Sequence, residues 1–484
     1  MIRQINLILL LAVCVFGQIF TKSGYDIKTP PEMREGVLLG NGIVDILAHD
    51  SLVWAGTGYG LNRTITAGAA WQTYGPADYL GKGGVTAMAL MSDSILWIAT
   101  SFDTVTSSGT LPAGGGLSYT TDQGKSWIHI PQPVDRRDET GYKPTTTNVQ
   151  NLTFDIAFLD TTVWITSFGG GLRRSNDMGA SWQVVTTDGI PFSALDYLNH
   201  RAFSVMTENG NIWVGTAGGI SKSSDGGESW KRYTSRNQEF PISGNFVVAL
   251  GYQEATGAVW AATNVTDSTE TTGVSKTING GASWEICLEG VFAHNFAFDG
   301  ERVYVATDDG LYVSDDGGAD WYVVTQIRDD LTGEEILTPV FYSAGVSRES
   351  GATRLWAGSS DGLASTVNNG FTWTVYRSFQ STRLGSVPAV YAYPSPFSPS
   401  RHGYIRFQYD IGKAGDVTID IYNFAMEHVV TIREYETAPI DNTYDRSAKW
   451  NGKTAEGRTV ASGVYFFRAD VQGEITWGKL IVIN

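Results

Sequence analysis

The chain has 484 residues with 56 Gly, 15 Trp and 22 Tyr, too long for one ordinary core and suited to many short strands joined by tight turns. A formal net charge of −16 excludes binding to nucleic acid phosphate or an anionic membrane by charge alone. With only two cysteines, Cys14 in an N-terminal apolar run and Cys287 far from it, the composition excludes a disulfide scaffold.

Met1-Ile2-Arg3 precedes an apolar run over 5–16 and then Gly17. A basic start and a short apolar core predict a secretory signal peptide over 1–17, too short for a stable membrane span. Lipidation at Cys14 is disfavoured by the bulky Val13 before it. No later stretch is apolar enough to cross a bilayer, so no transmembrane segment is expected in the mature chain.

From 24 to 380 one eight-residue phrase recurs, clearest as Ser223-Ser224-Asp225-Gly226-Gly227-Glu228-Ser229-Trp230. The pattern Ser/Thr-x-Asp/Asn-x-Gly-x-x-Trp returns at 120–127, 175–182, 277–284, 314–321 and 366–373. Its key positions are Asp122 and Trp127, Asp177 and Trp182, Asp225 and Trp230, Asn279 and Trp284, Asp316 and Trp321, and Asn368 and Trp373. A degraded seventh copy at 64–71 has Thr66 where the acid should stand. The acid or amide accepts local N–H groups, the Gly takes a positive φ, and the Trp starts the next strand as a packing wedge. A second phrase precedes each copy, an apolar pair followed by small residues, centred on Trp54, Trp97, Trp164, Trp213, Trp260, Tyr304 and Trp356. With an alternating strand before it and a Gly-Leu, Gly-Ile or Gly-Val step after it, each unit reads as four antiparallel strands. Units of four strands at a period of roughly 50 residues predict propeller blades.

The eight-residue phrase resembles the Asp-box, or BNR repeat, of sialidases, sortilin-type receptors, xyloglucanases and photosystem assembly propellers. The fold class that follows is all-β, a seven-bladed β-propeller followed by an Ig-like β-sandwich. In such a propeller the Asp-box turns share one face, and the resemblance implies ligand binding on the other. The longest connections fall on that other face, where loop excess on a rigid scaffold carries function. They comprise an insertion at 101–113 and the link 131–150 with Asp135, Arg136, Arg137 and Tyr142. Later links carry Asp196, Tyr197 and His200, and then Arg236. Tyr59, Phe102 and Phe168 add aromatic platforms for a glycan or protein ligand. For any one of these residues, a solvated loop with internal ion pairs is an equal reading.

A linker at 381–391 leads to a tail at 392–484. Its prolines forbid helix at the start, and period-two strands follow at 405–409, 417–422, 427–432 and 479–483. Tyr393-Pro394-x-Pro396-Phe397, Trp450-Asn451-Gly452, Gly457-Arg458 and Ala461-Ser462-Gly463-Val464-Tyr465 make this tail similar to the C-terminal sorting domain of bacterial type IX secretion cargo, an Ig-like domain akin to that of the flagellar hook-capping protein. The resemblance implies export through the periplasm by the type IX secretion machinery to a secreted or cell-surface location.

No metal-ligand spacing, nucleophile elbow, phosphate-binding loop or dinucleotide fingerprint is present, so neither metal nor cofactor is expected. The reading is a binding protein rather than an enzyme, with a secreted glycoside hydrolase related to sialidase and xyloglucanase propellers as the alternative. Against that alternative, the step Gly56-Thr57-Gly58-Tyr59-Gly60 lacks the acid that xyloglucanases carry early in the chain. Asp45 and Asp155 on inner strands are candidates to face the channel, or to cap a blade.

Overall fold

The computed structural model describes residues 38–329, 331–349, 351–379, 388–439 and 445–484. The predicted signal peptide, the first residues of the repeat region and most of the linker lie outside the described residues. The chain divides into two compact units: the described residues up to Gln326 with Pro339–Phe371, and Ile327–Thr338 with Thr372–Asn484.

Among the described residues, seven four-stranded antiparallel sheets follow one another along 43–376, each with its strands in chain order. Their first strands are Ile43–His49, Gly84–Ser92, Thr153–Leu159, Ala202–Glu208, Phe246–Gln253, Ala293–Asp299 and Phe341–Glu349. Each packs beside the first strand of the next sheet, and Phe341–Glu349 packs beside Ile43–His49, which closes a ring. This is the β-propeller arrangement that the repeats predict.

The recurrent turns join third strands to fourth strands and satisfy their own polar groups. At 223–230, Ser223 Oγ donates to Asp225 Oδ1 (2.7 Å), and Gly227 N donates back to Ser223 Oγ (2.8 Å). Ser229 N and Oγ then donate to the two Asp225 oxygens (2.9 and 2.5 Å). Asp122 and Asp177 repeat the pattern, and Asn279 keeps the bond from Ser283 N (3.0 Å). In the degraded first copy Thr66 Oγ1 substitutes for the acid by accepting from Ala70 N (2.9 Å).

The turn tryptophans interlock the sheets. Trp127, Trp230, Trp284 and Trp321 meet Trp54, Trp164, Trp213 and Trp260 of the preceding sheet edge-on, at 6.2 Å and 78–89°. Trp71 meets Trp356 of the seventh sheet in the same way, at 6.1 Å and 83°. The turn glycine is obligatory because it presses on the same ring: a Cβ on Gly227, where φ is +91°, would lie 2.7 Å from Trp164 Cη2.

One local reading needs correction. The segment 101–113 is not a loop: Ile95–Thr106 and Gly109–Thr120 stay paired out to Thr106↔Gly109, a ribbon favoured by Thr104, Val105, Thr106 and Thr110 around a Ser107-Ser108 turn. The Gly114-Gly115-Gly116 run lies inside that strand, where side chains would collide with the carbonyls of Asn151, Lys82 and Ile130.

In the second unit, sheets of three strands (Val390–Tyr393, Ile405–Asp410, Asp445–Trp450) and four strands (His428–Glu436, Gly415–Tyr422, Gly463–Val471, Glu474–Val482) share one apolar core. Phe397, Phe407, Tyr409, Ile419, Trp450 and Phe467 fill it. Among the described residues no helix is long and apolar enough to cross a membrane.

Trp213→Ala is expected to cost about 3–5 kcal/mol in denaturant unfolding of the repeat unit, because Trp213 is fully buried at an inter-sheet joint. Ser126 and Ser181, with the neighbouring turn groups, hold the Asp122 and Asp177 carboxyls down to about 2. A depressed folded-state value stabilises the fold above the unfolded value and is lost as pH falls toward 2. The drop in melting temperature on acidification below about pH 4 should therefore be shallower in Asp122→Asn/Asp177→Asn.

Candidate functional site

The first strand of each sheet is its inner edge, and all seven carry the same irregularity. Pairing with the second strand skips one residue near the start: Val44, Thr86, Phe154, Phe203, Val248, His294 and Tyr342. A bulge of this kind re-aims a side chain. All seven skipped residues line one cavity of about 340 Å³ at the ring centre. The bulges stand opposite the ends of the second strands, where the loops bearing Tyr59 and Phe168 begin.

Asp45 and Asp155 also line this cavity, each directly after a bulge. Each both faces the channel and ties one sheet to the next. Asp45 Oδ2 accepts from Met88 N (2.9 Å), while Asp155 accepts from Ile156 N (2.8 Å) and Val205 N (2.9 Å). Each carboxyl touches the channel yet is enclosed by protein, and this burial pushes Asp45 up to about 6 and Asp155 up to about 7; the charge of Asp45 adds to the latter. Further round the wall, His294 Nε2 meets Asp308 Oδ1 at 2.8 Å, and its ring packs edge-on against Phe292 and Tyr342. Burial pushes the Tyr342 hydroxyl up to about 12. Aromatic walls, two carboxyls with raised proton affinity and an imidazole can together grip a ligand by ring stacking and hydrogen bonds.

The residues singled out from the sequence fall into separate groups. Tyr59 is 55% exposed on the loop after the second strand of the first sheet. Lys82 Nζ sits 3.8 Å above the Phe102 ring. Asp135 is internally saturated: it pairs with Arg173 (2.6 Å) and accepts from the Tyr142 hydroxyl (2.9 Å) and the N–H groups of Thr145 and Thr146. Arg136 pairs with Asp138 at the surface, and Arg137 is exposed. Tyr142 contacts Phe192, Phe192 stacks on His200, and His200 meets Tyr197, so three of the chosen residues form one aromatic run. His200 is buried between Asp188 (3.1 Å) and the Ser193 N–H (3.0 Å), and Asp196 accepts from Ser193 Oγ (2.7 Å). Phe168 lies under the Arg201 guanidinium and beside Phe203, and Arg236 pairs with Asp267. The sequence reading missed Phe192 and Arg173, and it missed the channel residues His294 and Tyr342. A bulge leaves no mark in strand alternation beyond a one-residue shift.

Among the described residues no group of three His, Cys, Asp or Glu stands ready to hold a metal ion. No protein-family model matches the chain, and no curated protein matches it in sequence. Solved structures do. A GH74 enzyme from Niastella koreensis aligns with a TM-score of 0.51 at 14% identity, over 93% of this chain and 75% of that one. A GH74 xyloglucanase from Xanthomonas campestris aligns with a TM-score of 0.51 at 14% identity, over 92% and 74%. The extracellular domain of a one-component system from B. thetaiotaomicron has a TM-score of 0.45 at 14% identity, over 92% of this chain; the chain spans about half, 52%, of its length. At these identities the likeness shows a β-propeller fold and nothing of activity.

Raised carboxyls oppose folding as they ionise: the contribution of Asp45 and Asp155 is greatest below the unfolded value near 4 and is lost as pH rises through about 6 and about 7. Asp45→Asn/Asp155→Asn is expected to flatten the decline in melting temperature between about pH 5 and about pH 8, measured by thermal scans across that range.

Proposed function

We propose that this protein is an exported bacterial surface or secreted protein. In this reading a seven-bladed Asp-box β-propeller binds a glycan or protein ligand, and an Ig-like C-terminal domain directs type IX secretion. The domains are a signal peptide over 1–17, the propeller over 24–380, a linker over 381–391 and the sorting domain over 392–484. The observation that carries the binding role is the repeated bulge, which turns seven side chains of mixed chemistry into one central cavity. In this reading Tyr59 and Phe168, on the loops that follow the strand ends opposite two of the bulges, supply stacking surface to the ligand.

A glycan array and a peptide array probed with the full chain test this reading. Tyr59→Ala and His294→Ala should each weaken binding of the captured ligand by about tenfold or more, with the β-sheet circular dichroism spectrum retained. Binding that neither variant weakens would place the ligand elsewhere.

A second reading, glycoside hydrolysis, is favoured by one observation: Asp45 and Asp155 both line the cavity, and burial raises the first to about 6 and the second to about 7. It requires release of reducing sugar from a polysaccharide panel, abolished in both Asp45→Asn and Asp155→Asn. Binding without any release supports the first reading.

A further inference from the structure

The connection between the sixth and seventh sheets contains a short hairpin, Ile327–Arg328 paired with Glu335–Ile336, that clusters with the C-terminal unit. Local hydrogen bonds fasten its ends: Asp329 N donates to Glu334 O, and the Asp329 carboxylate accepts from Leu331 N, Thr332 N and Val375 N. Ile327 and Ile336 are buried.

The hairpin lies against the three-stranded sheet of that unit. On the strands Ile405–Asp410 and Asp445–Trp450, Arg406 pairs across from Lys449 and Gln408 from Ser447, so the four side chains share one face. The opposite face, with Phe407 and Ala448, belongs to the apolar core. The polar face should meet water in a free-standing sandwich, yet Arg406 and Gln408 are only 4% exposed. The hairpin meets three of the four side chains of this face. Ser447 Oγ donates to Glu334 Oε1 at 2.6 Å, and Lys449 Nζ stands 3.3 Å from Glu335 Oε2. Arg406 Nη2 donates to the Glu335 carbonyl at 3.1 Å, and its Nε lies 3.8 Å from Glu334 Oε2. Arg377 donates to the same Glu334 carboxylate at 3.0 Å and to the same carbonyl. A guanidinium buried this deeply requires a fixed anionic partner, and here Glu334 and Glu335 lie 71 to 114 positions earlier in the chain than the Arg406, Ser447 and Lys449 that they meet.

We infer that residues 327–338 are a built-in, non-covalent staple for the C-terminal β-sheet unit, so that hydrolysis of the chain within 381–386 leaves the C-terminal fragment bound through Glu334 and Glu335. The staple stands whatever ligand the propeller takes. A processing protease acting there would nick the protein without releasing its C-terminal part.

The test uses the full chain with a site-specific protease sequence in place of 381–386 and an affinity tag at the C-terminus. After complete cleavage and immobilisation, the N-terminal fragment should stay on the matrix in buffer of physiological salt. Glu334→Gln/Glu335→Gln should release it at least about tenfold faster, since loss of a buried charge pair acts on dissociation. Lys449→Met, which leaves both glutamates in place, should also accelerate release and serves if the double variant melts early before cleavage. Immediate release of the wild-type fragment would overturn the inference. So would variants that melt normally and release no faster than wild type.

Discussion

The edge-on contact between a turn tryptophan and the tryptophan of the preceding sheet is the constraint from which the ring follows. A single four-stranded sheet has two faces to cover and cannot cover them alone. Each indole removes about 200 Å² from water, worth roughly 5 kcal/mol, when the neighbouring sheet supplies the other wall. The turn must deliver the ring at a fixed place and angle, which is why its Asp or Asn gathers the N–H groups ahead of the Trp. The glycine must have no side chain, because the neighbour's ring occupies that space. The Trp71–Trp356 contact matches four internal ones in distance and angle, so the first and last sheets meet by the joint that recurs at those four boundaries.

Once the ring is closed, its inner edge becomes the second constraint. Half of the N–H groups on an edge strand point away from the sheet and need acceptors. Asp45 and Asp155 supply them for Met88 and Val205, at the expense of a carboxyl held in a poorly solvated channel. The bulges solve a related problem, the crowding of seven strand starts around one axis, and turn one side chain per sheet inward. The geometry is common to all seven sheets, whereas the chemistry differs: Val44, Phe154, Phe203 and Val248 are apolar, and Thr86, His294 and Tyr342 are polar. Such a division suits a scaffold whose wall composition can vary without disturbing its joints.

In the C-terminal unit the same principle operates at longer range. Its core is an ordinary apolar one, shared by two sheets. Its outer polar face is buried by residues from another part of the chain, and buried charge makes that contact specific in register, since Glu334 must reach two guanidinium groups and a hydroxyl at once.

The repeat architecture was legible in the amino-acid sequence because its instructions are local. Each turn closes its hydrogen bonds within eight residues, its glycine declares a positive φ, and strand alternation has period two. The strand pairing of 101–113 was lost to a loop reading although its β-branched residues were in view. The cavity was legible only in part: Asp45 and Asp155 stood on inner strands, but nothing in one strand tells that Phe203 and not Ser204 turns inward, or that Tyr342 and not Ser343 does. That choice depends on a one-residue shift in pairing, which reverses the side that every following residue faces. Asp135 looked like a loop carboxylate until Arg173, distant in sequence, paired with it. The sequence by itself determined the turns, the strands and the wedge residues, since their interactions begin and end within one repeat. Only the tertiary structure decided the cavity wall and the partners of the buried charges, because those arise where separately folded segments meet.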